Sequence, residues 1–387
     1  MRFVRTIILA AFLAAPFAAA SAQDLTLVNF LAKDQCDTCT IGDGCTSCAP
    51  YGAYDPSNPM SSAQSSQTPL DFTSPFDGGL GSSTDVAVMP GYIETPAIMN
   101  LFRLRFDGLF DNDTPDRAEF FYAQCACNGF GAPGPGSVAG TTPPQVNGNV
   151  DAQIYSMYLE SARSDRFSVF AELPFRAIQP EPLINGVLSS GDEFGVGDLN
   201  LGLKYALIQT PDSIFTFQMR VYTPTGNASE GLGTDHVSLE PGVMFQRYVT
   251  SNLLLFGEFK DWIPINGSAM RNPNSRYFGK HYAGDVLRYG LGTGYICRPT
   301  CNVTITPLVE VVGWSVLGGL TARSVDGGTG VDVVRANTTI VNAKAGVRMN
   351  ILRGDYTAHT FYVGYGQALT GTTWYDHIIR AEWGLIF

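Results

Sequence analysis

Near its end the chain alternates strictly between two faces: Tyr375, His377, Ile379, Ala381, Trp383, Leu385 and Phe387 against Asp376, Ile378, Arg380, Glu382, Gly384 and Ile386. A period of two is the spacing of a β-strand with unlike faces. One face here is apolar and finishes on an aromatic residue, and the other is largely polar. The same alternation, bounded by turn residues, recurs over 117–126, 149–162, 166–176, 195–208, 213–224, 236–249, 252–262, 285–297, 302–314, 336–350, 357–369 and 374–387. The pattern predicts twelve strands.

Several of these strands assign their own faces. Leu199, Leu201, Leu203, Tyr205 and Leu207 oppose Asp198, Asn200, Gly202, Lys204 and Ala206. Phe215, Phe217, Met219 and Val221 oppose Thr216, Gln218 and Arg220, and Val341, Ala343, Ala345, Val347 and Met349 oppose Asn342, Lys344, Gly346 and Arg348. Between strands, tight turns at 163–165, 209–212, 250–251, 298–301 and 353–355 alternate with longer or Gly-rich stretches at 127–148, 177–194, 225–235, 263–284 and 315–335, and a short one at 370–373. Short turns at one end and long loops at the other are the asymmetry of outer-membrane barrels. Strands in hydrocarbon must pair all their backbone groups, which only a closed barrel achieves.

The expected fold is therefore all-β: a transmembrane antiparallel up-and-down barrel of about twelve strands, with both termini on the periplasmic side. The strand-like segment 98–106 would make a thirteenth and put one terminus on the wrong side. It is expected to be a short hatch, within 96–113, that enters the lumen; fourteen wall strands are the alternative. Soluble sandwiches and propellers also alternate, but their strands are shorter. Trp262, Trp314 and Trp374 at strand ends, with Trp383 near the other rim, are expected to form interfacial belts.

The other end of the chain agrees. Arg2 and Arg5, the apolar run 7–17 and Ala20-Ser21-Ala22 read as a cleaved secretory signal over 1–22. The apolar run is too short to span, being well below the roughly 20 residues a transmembrane helix needs. Residues 23–95 are expected to form a Cys-rich periplasmic extension with a Ser-, Pro- and Gly-rich linker, and 96–387 the barrel. The extension carries two CxxC pairs, Cys36/Cys39 and Cys45/Cys48. Disulfides suit an oxidising compartment; four thiolates could also enclose zinc, but the five residues between the pairs are fewer than zinc modules use. Cys297 and Cys301 flank a tight turn and are a third candidate pair, whereas Cys125 and Cys127 are too close to bridge within a strand.

Composition is permissive. Mean hydropathy is +0.04, with 42 Gly, 17 Tyr and 24 Phe against 24 Lys plus Arg. The formal charge of −11 excludes nucleic acid as a natural partner. No cofactor or metal is expected. Asp107, Asp111, Asp113 and Asp116 could offer oxygens to calcium, yet their spacing matches no calcium loop and a solvated turn explains them.

On the assigned faces, the lumen would be lined by Glu160, Arg166, Glu172, Arg176, Asp198, Lys204, Arg220, Glu240, Glu258, Lys260, Arg288, Glu310, Lys344, Arg348, Arg380 and Glu382. Charges of both signs can either span a water-filled bore or pair and fill it. Twelve strands fall between the size that only side chains fill and the size that holds a wide channel. Gly290, Gly292 and Gly294 leave space on the inner wall, which favours close packing of the hatch there. His236-Val237-Ser238 supplies the residue types of a lipase, but the polar pair is expected to face inward, away from lipid. Trp383, Leu385 and Phe387 would be the signal read by barrel-insertion machinery.

The stretch Gly195-Val196-Gly197-Asp198-Leu199-Asn200-Leu201-Gly202-Leu203-Lys204-Tyr205, followed by Tyr222-Thr223-Pro224-Thr225-Gly226, resembles the outer-membrane family linked to meta-pathway phenol degradation, which looks distantly like fatty-acid and aromatic-hydrocarbon transporters. The resemblance implies passage of small, often hydrophobic or aromatic solutes across the outer membrane. The competing expectation is a structural barrel, closed by its own paired charges, whose extension contacts the cell wall or a periplasmic partner. Outer-membrane lipid is an expected partner in both, and homo-oligomers are compatible with either.

Overall fold

The computed structural model describes residues 89–112, 150–180, 192–269 and 277–387, apart from short loop stretches and single positions within the last two spans. Among them are β1 (Leu101–Asn112), β2 (Val150–Ser164), β3 (Phe167–Pro180), β4 (Glu193–Val196), β5 (Asn200–Gln209), β6 (Ser213–Tyr222), β7 (Val237–Tyr248) and β8 (Leu253–Ile265). They are followed by β9 (Val286–Tyr295), β10 (Cys297–Thr300), β11 (Val303–Val316), β12 (Leu320–Val325), β13 (Gly330–Arg335), β14 (Thr338–Arg353), β15 (Thr357–Ala368) and β16 (His377–Ile386).

Every wall strand pairs antiparallel with its neighbours in the chain, and the sheet closes on itself where β1 meets β16, from Leu101↔Ile386 to Phe110↔His377. Short β4 and β10 continue the tracks of β5 and β9 along β3 and β11, while β12 and β13 form a separate hairpin. The described wall is thus a closed barrel of twelve strands: β1–β3, β5–β9, β11 and β14–β16. Tight connections, such as those after β2, β5 and β14, alternate with long ones after β1, β6 and β11.

Alternation governs the wall. On β6 Thr216, Gln218 and Arg220 are buried while Phe215, Phe217 and Met219 are partly exposed; on β14 Asn342, Lys344, Arg348 and Asn350 are buried and Val347 is exposed. Leu159, Leu201, Tyr205, Leu207, Phe259, Leu291, Val309, Val311, Val363 and Ile379 continue the exposed apolar surface. Burial of charges with exposure of aliphatic side chains reverses the order of a soluble protein. It is the order required by a wall with hydrocarbon outside and polar contents inside, where an outward charge at mid-membrane would cost about 2–4 kcal/mol.

Two expectations are corrected here. Residues 101–112 are the first wall strand rather than a hatch, because Arg103, Arg105 and Asp107 alternate with Leu104 and Phe106 and complete the ring between β16 and β2. The segment 117–126, expected to hold that place, lies outside the described residues. Trp262, Trp314 and Trp374 are buried inside the barrel rather than set in an outer belt. Strand parity decides this: Trp262 shares the face of Glu258 and Lys260, and Trp314 that of Glu310. Trp383 does point outward, edge-on to Phe102 at 6.0 Å.

Candidate functional site

The interior is occupied by the chain just upstream of β1. Met89 packs in a cluster with Ala97, Met99, Leu101, Ala358 and Ile386, at the end of the barrel where the tight turns lie. Tyr92 and Ile93 belong instead to a second cluster with Trp314, Val312, Trp374 and Tyr375. Residues 89–100 therefore rise into the bore, bend at 91–93 and descend to the start of β1. The sequence favours this path: Pro90 and Pro96 remove two donors that a wall strand would need, and the segment has no period of two.

One flank of the wall holds this plug by its main chain. The buried Glu310 carboxylate of β11 accepts from the backbone N–H groups of Gly91, Tyr92 and Ile93, at 3.1, 2.8 and 3.2 Å. Arg348 donates to the carbonyl of Pro90 (2.6 Å) and Arg380 to that of Gly91 (3.0 Å). The Tyr92 ring lies between two cations, with the Arg380 guanidinium carbon and Lys344 Nζ each 4.2 Å from its centroid. Gly91 is required by contact, since a Cβ there would lie 2.2 Å from Tyr362 Oη. On neighbouring β9, a Cβ on Gly290 would meet Ile93 at 2.9 Å, so the gap left by that glycine is filled by the plug. Gly292 and Gly294 face Phe256 and Leu308 instead.

The other flank holds a side chain as well as main-chain groups. Glu94 pairs with Lys260 Nζ at 2.7 Å and with Arg220, and its backbone N–H donates to Glu258 at 3.1 Å. Arg288 of β9 reaches the Tyr92 carbonyl (3.1 Å), and Thr216 donates to the carbonyl of Pro96 (2.6 Å).

The charged residues assigned to the inner face from sequence are mostly buried and joined. Glu160 accepts from Lys204 Nζ (2.8 Å), Tyr158 (2.6 Å) and Ser168 (2.6 Å). Glu172 is shared by Arg105 (2.5 Å) and Arg220 (3.0 Å), and Glu258 by Arg288 (2.6 Å) and Lys260 (3.2 Å). Glu240 accepts from Tyr222 (3.0 Å). Glu382 pairs with Arg348 at 2.9 Å, Arg380 clasps Asp107 at 2.6 and 2.9 Å, and Lys344 donates to Tyr375 (3.0 Å).

Three assignments need revision. Arg166 is exposed in the β2–β3 turn, because the strand pair reaches only to Phe167. Asp198 is buried, but its carboxylate organises a loop: it accepts from Gly226 N (3.0 Å), Thr234 N (2.8 Å) and Thr234 Oγ1 (2.7 Å). Arg176 lies beside that junction. Asp107, grouped from sequence with a possible calcium turn, is spent on Arg380, and Asp111 is exposed with φ 55°. Asp113 and Asp116 lie outside the described residues, as do Cys36, Cys39, Cys45, Cys48, Cys125, Cys127 and Cys301; Cys297 is half-buried at the start of β10. His236 and Ser238 are both buried, the His ring nitrogen Nδ1 2.6 Å from the Thr234 carbonyl.

Tyr92, Glu94, Arg103 and Arg105 were not singled out by sequence reasoning, and Asp107 was read only as part of a turn. For the three on β1 the signal was present, as charge on every second residue. For Tyr92 and Glu94 it was indirect, residing in the gap at Gly290.

Fold and interior together define a transmembrane β-barrel whose bore is filled by its own N-terminal segment. The family model described as "Putative MetA-pathway of phenol degradation" matches residues 132–257, a span that contains both motifs on which the resemblance was read. Those motifs meet in space: Thr225 Oγ1 donates to the Gly197 carbonyl (3.0 Å) and accepts from Leu199 N (2.8 Å). Among solved structures, an outer membrane channel from Pseudomonas putida F1 is similar at 12% identity and a TM-score of 0.45, over 78% of this chain and 100% of that one. The KdgM porin (8% identity, TM-score 0.34, 74% and 98% covered) and the TodX mutant monoaromatic hydrocarbon channel (11%, 0.35, 75% and 89%) are further similar structures. No curated protein matches this sequence.

Proposed function

We propose that this protein is an outer-membrane channel for small molecules, kept shut by residues 89–100. The observation that carries the reading is the double passage of a peptide through the bore. The wall does not close the lumen with its own side chains alone, so the space taken by the plug becomes a polar passage once the plug moves. The inner face then presents paired charges of both signs to a solute. Small aromatic solutes are supported by the family's description alone. Both termini belong on the periplasmic side in this reading, since Leu101 and Phe387 lie at the tight-turn end. Trp383, Leu385 and Phe387, on the outward face of β16, would be offered to the insertion machinery, with outer-membrane lipid around the wall.

The second reading, a structural barrel, is favoured by one observation: Glu160, Glu172, Arg348, Lys260 and Glu382 are buried and paired, which makes the interior a cohesive polar core. Planar-bilayer conductance of the refolded mature chain, with and without residues 89–96, separates the two. A channel gives brief openings in the full chain and steady conductance after the deletion. Silence in both forms, with the barrel folded, would remove the channel and leave the structural barrel.

A further inference from the structure

The two flanks of the plug differ in kind, and the flank that holds Glu94 has a charge imbalance of its own. Arg105 of β1, Arg220 of β6, Lys260 of β8 and Arg288 of β9 are connected through Glu172 of β3, Glu240 of β7 and Glu258 of β8. Asp107 also touches Arg105 at 3.3 Å, but it is clasped by Arg380 through two bonds. Four wall cations thus face three wall carboxylates, and Glu94 supplies the missing charge. Its two oxygens are divided between the two cations, Oε1 to Arg220 and Oε2 to Lys260. That is how a cradle built on the wall holds a single carboxylate. Burial strengthens the demand, because Arg220 and Lys260 lie away from water, where an excess of cations over the carboxylates they share is costly. The Arg220 guanidinium carbon lies 5.1 Å from the centroid of Phe170 and 5.8 Å from that of Tyr222, which fix its plane.

We propose that Arg220 and Lys260 form a carboxylate-binding site on the inner wall, of which Glu94 is the resident occupant and for which a small carboxylate solute competes. A carboxylate entering the cradle replaces Glu94 charge for charge, so the wall stays neutral while the plug loses its side-chain anchor. The opposite flank offers no such exchange, since its Glu310, Arg348 and Arg380 bind main-chain groups and it holds no plug carboxylate for a solute to replace. The role of the site in gating rests on the channel reading; the site itself does not.

The test uses the refolded mature chain in micelles, with acetate as the probe and chloride and acetamide as controls at equal ionic strength. Glu94→Ala vacates the cradle, and Glu94→Ala with Arg220→Gln dismantles it. Acetate is expected to bind Glu94→Ala at least about tenfold more tightly than the wild type or the double variant, by calorimetry. It should also raise the unfolding temperature of Glu94→Ala alone. In the wild type, which needs no variant to fold, acetate but not chloride should speed amide hydrogen exchange in 92–95. Equal binding in all three proteins, equal effects of chloride, or exchange indifferent to acetate would overturn the site. Acetate binding with no conductance in any form would uphold the site and remove the channel reading alone.

Discussion

The two flanks of the plug use the same chemical groups in opposite ways. On the β11, β14 and β16 side, wall side chains bind the plug's backbone: Glu310 takes three N–H groups, and Arg348 and Arg380 take carbonyls. On the β6, β8 and β9 side, wall groups also reach the plug's backbone at Tyr92, Glu94 and Pro96, but two cations there bind a plug side chain, the Glu94 carboxylate. The first attachment depends on main-chain shape and is indifferent to most plug residues. The second adds to its main-chain contacts a single carboxylate, the one the proposed site would exchange. A segment held firmly at one edge and replaceably at the other is hinged rather than loose.

The largest effect should come from breaking the main-chain flank. Glu310→Ala leaves three buried N–H groups without their acceptor, each worth about 1–3 kcal/mol. Amide exchange at 91–93 should rise by several orders of magnitude, and bilayer conductance should become steady; unchanged exchange would mean that Glu310 is not the latch. Gly91→Ala comes next. It forces a methyl group into the Tyr362 ring, an overpacking of about 1–3 kcal/mol, and should raise the open fraction unless Tyr362 is also made Ala. Open probability in single-channel records checks both.

Glu94→Gln should act more weakly than Glu310→Ala: it keeps one acceptor oxygen but sets an NH2 donor against Arg220 or Lys260, a loss of about 1–3 kcal/mol at one contact rather than three. Its signature is frequent short openings rather than a permanently open state, which would separate a replaceable anchor from a latch. Arg166→Ala is the smallest, within about 0.5 kcal/mol in chemical unfolding as for most surface sites. A larger loss would place Arg166 in the interior after all.

Eleven of the twelve wall strands were legible because lipid on one side and polar groups on the other impose a period of two. The remaining one failed on a conflict of evidence: 98–106 alternated well, but a strand counted at 117–126 had already filled the even number. The tryptophans were misplaced because proximity to a strand end was read before parity; counting residues from Glu258 to Trp262, or from Glu310 to Trp314, places both indoors. Parity set the face proposed for the inner-wall charges, and most of them are buried. Which of them would hold the plug was not legible. Glu310 and Arg348 look like any other inward charges, and their partners are backbone atoms that no residue type announces.

The seam between β1 and β16 has a consequence for assembly. Leu101 pairs with Ile386 across about three quarters of the chain, and such distant pairings slow folding. The plug is synthesised before any wall strand, yet its attachments lie on β6, β8, β11, β14 and β16. It must wait, unattached, until those strands gather around it. The final strand then seals the cylinder with the segment already inside, so enclosure is an event of biogenesis rather than a later insertion.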